Sequence, residues 1–441
     1  MSVHVIQSEI LQWCTQYRGE RFQATLGDCP YGIGFMSARW DKFTPQGYQA
    51  WVRDWASAMI ENVLAPGAVA ILFGGRDTWH RLACGLEDAG FDVFDTMMWV
   101  YAQGWPKGAR VGKKIDPEGV SRESLLWDGH RTDLKPAWEP AIMARAPTLG
   151  LGFADLALRY GTGSLWIDGE RLAVDPGGAD DPRLGGNGSW KTDKAAKLVY
   201  SGGYAGVDVG SSPLGRVPAD FAMVHLGECQ VQQARSNGRV VDVWTCAPGC
   251  PVAELDRQSG VLRSGKGVVR QKSAKGGARN GGVYGDESRP VGSTNEGREY
   301  GDVGGASRFF YCAKAKSGDR HDGCHNLCWR VDKGSPSGYV RVSPQTWATL
   351  PAASRARGNI HIAVKPLPLT THLARLLLPP VDGLGKRRIL VPFAGSGSEM
   401  IGGARAGWDE IAGIEVVGDY CLIATTRLRA VTAGDIIWEV P

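Results

Sequence analysis

The chain has no run approaching the roughly 20 consecutive apolar residues of a membrane-spanning helix, so no membrane span is expected in its 441 residues. Its opening, MSVHVIQSEILQWCTQYRGE, lacks the layout of a secretory signal, and a soluble enzyme inside the cell is expected. Ten cysteines are too few for a disulfide scaffold in a chain this long. They fit buried thiols, with room for one metal cluster. The net charge is only +4, so a nucleic-acid surface has to be local rather than global. What is plentiful is apolar side chain, at 43%, and glycine, with 61 residues concentrated between Gly150 and Gly305. The length suggests two or three domains.

The stretch Leu26 to Phe35, LGDCPYGIGF, follows a short apolar run. Asp28 supplies an acceptor, Pro30 stiffens the turn, Tyr31 offers a flat face, and Gly32 and Gly34 let backbone pass close to a ligand. Such a set can hold a planar heterocycle bearing an exocyclic amine. By itself it is equally an ordinary Asp/Pro/Gly turn after a strand. A second stretch, Ile389 to Glu415 (ILVPFAGSGSEMIGGARAGWDEIAGIE), has the order strand, glycine turn, helix, strand, acid. That order is typical of a nucleotide-type site. Gly395 and Gly397 allow close approach, and Glu415 stands where a carboxylate can accept from both ribose hydroxyls.

Apolar runs alternate with helix-compatible segments through the first 150 residues. Strands are predicted at the start of Val3–Gly19, at Arg21–Gly27, Ala68–Phe73 and Val93–Tyr101, with helices over Pro45–Leu64 and Asp77–Ala89. Lys135–Arg145 reads as a further strand at the sheet edge. The pattern predicts an α/β fold, a doubly wound parallel sheet. From 151 to 350 the sequence turns irregular and glycine-rich. From 351 to 441 the periodic pattern returns, giving three segments: 1–150, 151–350 and 351–441.

With these motifs in view, the chain resembles a DNA amino-methyltransferase of the phage and bacterial type, in which the catalytic motif precedes the cofactor motif. The D-P-P-Y motif of that family corresponds to Asp28, Cys29, Pro30 and Tyr31. Its F-x-G-x-G motif corresponds to Phe393, Ala394, Gly395, Ser396 and Gly397. The phrases LKPAWEPAIMARAP, YGTGSLWIDG, CAPGCPVAELDRQSG, FFYCAKA and GNIHIAVKP extend the resemblance over nearly the whole chain. It implies a Rossmann-like S-adenosylmethionine-dependent methyltransferase sheet, circularly ordered, interrupted by an inserted target-recognition region. It also implies S-adenosylmethionine as methyl donor, double-stranded DNA as partner, and a cytoplasmic site in a bacterial or phage-infected cell. A homodimer stays open.

The resemblance assigns Asp28 and the main-chain carbonyl of Cys29 as acceptors for the target amine, and Tyr31 as a stacking platform. Cysteine replaces the family's proline at 29, but a backbone carbonyl serves from either residue, and Pro30 still holds position 29 extended. Lys365, from a variant of the family's H-P-T-V-K-P, is implied at the donor's carboxylate. Val391 stands where the family has an acid for the donor's amino group. Aspartate in first place favours adenine N6, with cytosine N4 as the alternative. A weakened DNA-binding homologue and a methyltransferase with a non-DNA substrate remain as further readings.

Two basic groups are candidate DNA contacts. Lys107, Arg110, Lys113 and Lys114 follow a predicted strand, and equally suit a solvated loop. Val261 to Asn280 carries Arg263, Lys266, Arg270, Lys272, Lys275 and Arg279 with no acidic residue, a glycine-rich pattern suited to ordering on a polyanion. His225, Cys229, Cys246 and Cys250 form a candidate tetrahedral zinc set, although its paired spacing is looser than the usual two-residue gap. Cys312, His321, Cys324, His325 and Cys328 form a weaker second candidate.

Overall fold

The run LAPGAVAILF, Leu64–Phe73, is apolar on both alternations, which a strand tolerates only when both of its faces are covered. In the computed structural model, Val69, Ile71 and Phe73 enter one apolar cluster, and Ala68, Ala70 and Leu72 enter another on the opposite face. The structure describes residues 1–34, 39–101, 108–172, 216–236, 239–263, 303–314, 317–381 and 385–440. Among these, no helix is long and apolar enough to cross a membrane. All ten cysteines carry free thiols, and seven of them are buried.

Among the described residues, ten strands make the main sheet. In chain order they are β1 (Ser2–Gln7), β2 (Phe22–Asp28), β3 (Leu64–Phe73), β4 (Asp92–Val100), β5 (Trp138–Arg145), β6 (Phe221–His225), β7 (Tyr311–Lys314), β8 (Arg388–Val391), β9 (Glu410–Glu415) and β10 (Asp435–Glu439). Across the sheet they run β7-β6-β4-β5-β3-β2-β8-β9-β1-β10. All neighbours are parallel except those of β5, which runs against both β3 and β4. The α/β class and the predominantly parallel sheet are as predicted.

The edge position predicted for Lys135–Arg145 is not what the chain adopts. Ala141 and Met143 face one core while Ile142 and Ala144 face the other, so β5 is apolar on both sides and sits inside the sheet. Its reversed direction brings Trp138 and Glu139 to the edge where the parallel strands end.

Helices α1 (Ile10–Gln16), α2 (Pro45–Ala58) and α3 (Trp79–Ala89) cover one face through residues such as Ile10, Val52, Trp55 and Leu86. Thr44 caps α2 by accepting from the Gly47 N–H at 3.1 Å, with Pro45 in the first turn. The helix predicted over Pro45–Leu64 widens into a π-turn at Met59–Val63. There the Arg21 guanidinium takes the carbonyls of Ile60, Glu61 and Leu64. A further helix, α4 (Pro251–Ser259), belongs to the middle segment. The other face is covered by α5 (Leu367–Leu376), α6 (Ser398–Ala406) and α7 (Gly418–Val431).

The middle segment is continuous with the sheet. Its strands β6 and β7 extend the sheet beyond β4. A small antiparallel sheet of Cys328–Val331, Tyr339–Arg341 and Arg355–Arg357 crosses residue 350 and packs Trp329 against Tyr420 and Ile423 of α7.

Helices α5 and α6 meet with almost no side chain between them. A Cβ at Gly402 would lie 2.6 Å from the Thr370 carbonyl carbon and 2.7 Å from its oxygen, both backbone atoms that cannot step aside. Gly402→Ala is therefore expected to destabilise the fold by about 1–3 kcal/mol, the usual range for overpacking. Urea unfolding checks this; an unchanged midpoint would show that the helices can part without cost.

Candidate active site

Strand β2 carries Asp28 at its end, and its neighbour β8 leads into Phe393–Gly397, with Ile389 beside Ala24 and Leu390 beside Thr25. Pairing two strands from opposite ends of the chain puts the two motifs side by side at the carboxyl edge of the sheet, where open α/β sheets bind ligands. A cavity of about 270 Å³ opens there. Asp28, Cys29, Pro30, Tyr31, Lys365, Phe393, Ala394, Gly395, Ser396 and Glu415, all candidates from the sequence, line it. Gly397 sits behind them as the N-cap of α6, at φ 79°.

The turn after Asp28 is held from several sides. The Cys29 N–H donates to the Phe73 carbonyl at 3.2 Å, and the Tyr48 hydroxyl donates to the Pro30 carbonyl at 2.6 Å. Fully buried Asp41 accepts from the N–H groups of Gly32 (2.7 Å) and Ile33 (3.3 Å). Gly32 has φ 72°, and a Cβ on it would strike the Tyr48 ring at 2.8 Å, so this place needs glycine twice over.

Lys365 is the centre of the site. Its ammonium lies 2.6 Å from Asp28 Oδ2 and 3.1 Å from Glu139 Oε2, and it donates to the Tyr31 hydroxyl at 3.3 Å. That hydroxyl donates in turn to Glu139 Oε2 at 2.9 Å. The Phe73 ring centroid is 4.8 Å from the ammonium, a cation–π distance. Burial pushes the Lys365 ammonium towards neutrality, but Asp28 and Glu139 outweigh it and hold its pKa well above the usual lysine range. The resemblance implies Lys365 at the donor's carboxylate; in the structure its ammonium pairs with Asp28 and Glu139. The other oxygen of Asp28, Oδ1, is buried and has no hydrogen-bond partner.

The glycine turn is equally fixed. Glu415 accepts from the N–H of Gly395 at 2.8 Å with one oxygen and from the N–H of Val417 at 2.8 Å with the other. Burial nevertheless pushes its acid up to about 7. Gly395 has φ 51°, and a Cβ there would fall 2.8 Å from His361 Nε2, so the turn must stay bare. Burial lowers the His361 imidazole to about 4, leaving it neutral near pH 7. Behind the turn, buried Arg427 donates to the Ser396 carbonyl (2.5 Å), Ser396 Oγ (3.0 Å) and Ser398 Oγ (3.2 Å). It also donates to the Asp319 carbonyl of the middle segment at 2.7 Å. Phe393 packs on Trp51 and Trp55, with centroids 5.4 and 5.5 Å away.

Glu139, Asp41, Tyr48, Glu399 and Arg427 were not singled out by sequence. Glu139 lies in the KPAWEPAIMAR phrase and was discoverable as an acid opening an otherwise apolar strand. Arg427 gives no signal in a helix that otherwise reads as ordinary.

Of the basic candidates, Arg110, Lys113 and Lys114 do not line the cavity. Arg110 forms an isolated bridge with Arg131, the Lys113 ammonium donates to the Pro117 carbonyl at 3.2 Å, and Lys114 is exposed. Arg263 pairs through its backbone with Val303. Lys107, Lys266, Arg270, Lys272, Lys275 and Arg279 lie outside the described residues.

Away from this site, His225, Cys229, Cys246 and Cys250 converge, all four ligand atoms lying within 4.8 Å of one another. His225 ends β6 and Cys250 is the N-cap of α4. Cys229 and Cys246 flank the hairpin Gln230–Ser236 and Arg239–Thr245. His225 Nδ1 is 3.4 Å from Cys246 Sγ and 3.5 Å from Cys250 Sγ, with the Trp244 ring stacked on the imidazole at 4.0 Å. The Ala247 N–H donates to Cys229 Sγ at 3.4 Å. The second candidate set does not converge: Cys312 lies in β7, Cys324 and Cys328 are buried, and His321 Nδ1 accepts from the Asn359 N–H. Among the described residues, the first cluster is the one group with metal-binding geometry.

Residues 22–146 match the N6/N4 family described as DNA methylase. That span contains Asp28 and Glu139 and ends before Lys365 and the glycine turn. The type II methyltransferase M.HindIII of Haemophilus influenzae is 29% identical over 126 residues, 28% of this chain and 40% of that protein. The chain thus spans less than half the length of this curated relative. Solved structures that align over most of the chain include the M1.HpyAVI–SAM complex, at 10% identity, 97% and 98% coverage and a TM-score of 0.34. Another is PvuII DNA methyltransferase (cytosine-N4-specific), at 10% identity, 96% and 85% coverage and a TM-score of 0.38. With TM-scores this low, neither carries weight for this chain.

Lys365→Met would leave the part-buried carboxylates of Asp28 and Glu139 facing each other without their buried cation. Breaking a buried pair from one side costs about 3–5 kcal/mol, and chemical denaturation should register a loss of that order. Adding Asp28→Asn and Glu139→Gln to it should recover most of the loss. A single variant as stable as the parent would show that the ammonium does not hold the site together.

Proposed function

We propose that this chain is a DNA methyltransferase that transfers the methyl group of S-adenosylmethionine to the exocyclic N6 of an adenine rotated out of the duplex. The observation that carries the reading is Asp28 Oδ1, a buried acceptor without a donor, in one cavity with a glycine turn and an acid-ended strand. The match of residues 22–146 to the DNA methylase family supports DNA as the substrate.

An aromatic amine is a poor nucleophile because its lone pair is delocalised into the ring. Asp28 Oδ1 accepts one amine hydrogen and the Cys29 carbonyl the other, drawing the nitrogen towards tetrahedral geometry and freeing the lone pair. Lys365, clamped on Oδ2, fixes the plane of the carboxylate so that Oδ1 keeps its aim. Removing a base from the stack costs a few kcal/mol, and stacking on Tyr31 returns roughly 1–3 kcal/mol. When bound, S-adenosylmethionine supplies an electrophilic methyl group on a sulfonium. The residues present fit such a donor. Gly395 leaves a cradle that any Cβ would fill, and Glu415 lies at the cavity wall where ribose hydroxyls can reach it. The nitrogen–methyl bond forms as the sulfur–methyl bond breaks, and the amine's surplus proton leaves by way of the Asp28 carboxylate. Alignment of this kind supplies much of the rate.

We also propose that the His225 cluster holds one structural zinc. A tetrahedral centre with metal–sulfur about 2.3 Å and metal–nitrogen about 2.0 Å separates sulfur from nitrogen by roughly 3.5 Å. The 3.4 and 3.5 Å separations here match it. The cluster closes the hairpin against β6 and α4, and none of its four residues lines the cavity.

Asp28→Ala should abolish transfer to duplex DNA while donor binding by calorimetry persists, because Asp28 meets the amine rather than the donor. Near-parental activity would sink the assignment. Nucleoside digests of the product should contain N6-methyladenine by mass spectrometry; N4-methylcytosine in its place would change the base and leave the chemistry standing.

For the metal, elemental analysis of purified protein should find about one zinc per chain. Cys246→Ser should lose it together with thermal stability. Protein free of metal and equally stable would refute the site.

A further inference from the structure

The cavity is lined by five carboxylates, Glu9, Asp28, Asp41, Glu399 and Glu415, against the single ammonium of Lys365. Most of these acids are already engaged. Glu9 accepts from the Gln12 N–H, Asp41 from Gly32 and Ile33, and Glu415 from Gly395 and Val417, while Asp28 Oδ2 holds Lys365. Two buried oxygens in the cavity wall have no donor: Asp28 Oδ1 and Glu399 Oε1. A buried carboxylate oxygen deprived of both water and a donor is costly, so each marks a place for something that donates.

The two sit on different elements. Asp28 ends β2, whereas Glu399 is in the first turn of α6, directly after the glycine turn. Among the described residues, no cation donates to Glu399 Oε1. Lys365 is committed to Asp28 and Glu139, Arg427 to the turn backbone and its serines, and His361 is neutral. The strand entering the turn offers no acid either, since it ends in fully buried Val391.

We infer that Glu399 is the counter-ion for the ammonium group in the amino-acid part of the methyl donor. The inference rests on the donor assigned above. It divides the cavity between two acceptors, with Asp28 Oδ1 for the base amine and Glu399 for the donor's ammonium. Burial, reinforced by the Asp28 charge and opposed by Lys365, lifts the Glu399 acid to about 7. The other charged or titratable groups around it are His361, Glu415 and Arg427. An arriving ammonium favours the carboxylate, so binding near pH 7 expels a proton from Glu399.

The test is calorimetry on the full chain with three probes. S-adenosylmethionine and S-adenosylhomocysteine both carry the ammonium, and 5′-methylthioadenosine lacks it. Glu399→Gln should weaken the first two by at least ~10-fold, as expected for a buried charge-assisted contact, and leave the third unchanged. At pH 7 the binding heat of the parent should vary with the ionisation enthalpy of the buffer, and the variant should lose that part. Glu399→Asp, which keeps the charge and withdraws it by one methylene, gives the same contrast should the glutamine variant fail to fold. Equal affinity of parent and variant for S-adenosylmethionine overturns the inference and leaves the methyl-donor reading intact. A loss shared by all three probes also overturns it, since that marks a structural role. A loss confined to S-adenosylmethionine overturns it too, by pointing to the sulfonium. A parent chain that binds none of the three overturns the donor assignment and the inference together.

Discussion

The ammonium of Lys365, buried between Asp28 and Glu139, is the contact on which the site depends. It joins three distant parts of the chain: the end of β2, the start of β5, and the loop before α5. Two carboxylates this close would repel, and the ammonium between them offsets that repulsion. The hydroxyl of Tyr31 completes the pairing on Glu139. The same contact keeps one oxygen of Asp28 occupied and the other open, which turns a symmetric side chain into a directed acceptor.

The sheet makes this contact possible. A strand reversed between β3 and β4 is an irregularity in a parallel sheet, but only a reversed strand opens at the edge where its neighbours close. Glu139 reaches the site for that reason. On the other flank, adjacency of β2 and β8 brings the Asp28 turn to the glycine turn without any long loop.

Much of this was legible because the signals are local. Asp28-Cys29-Pro30-Tyr31 and Phe393–Gly397 are short, and their glycines answer to positive φ or close approach that is settled within a few residues. The α/β class followed from apolar runs alternating with helical periodicity. The four metal-cluster residues were found by chemistry and spacing alone. The position of β5 differs from the edge expected, because neighbours in a sheet are set by long-range pairing. The residues that decide the matter, Ala141 to Ala144, are apolar on both alternations. Arg427 and Glu399 were invisible for a different reason. A charged residue in a helix usually faces water, and nothing nearby in sequence says that the glycine turn and the middle segment will close over these two. The commitment of Lys365 to Asp28 was likewise unreadable, being a contact across more than three hundred residues.

The pairing of β2 with β8 also sets a timetable. A ribosome adding about 5–20 residues per second needs roughly 20–70 s to travel from Asp28 to Val391. Throughout that interval β2 has β3 on one side and an open row of backbone donors and acceptors on the other. Long-range pairings of this kind fold slowly and leave edges exposed. The emerging chain therefore faces its greatest risk of mispairing in the strand that ends in Asp28. Truncation before residue 388 would strand that edge permanently, so incomplete products should be cleared or aggregate rather than persist as inactive folded protein.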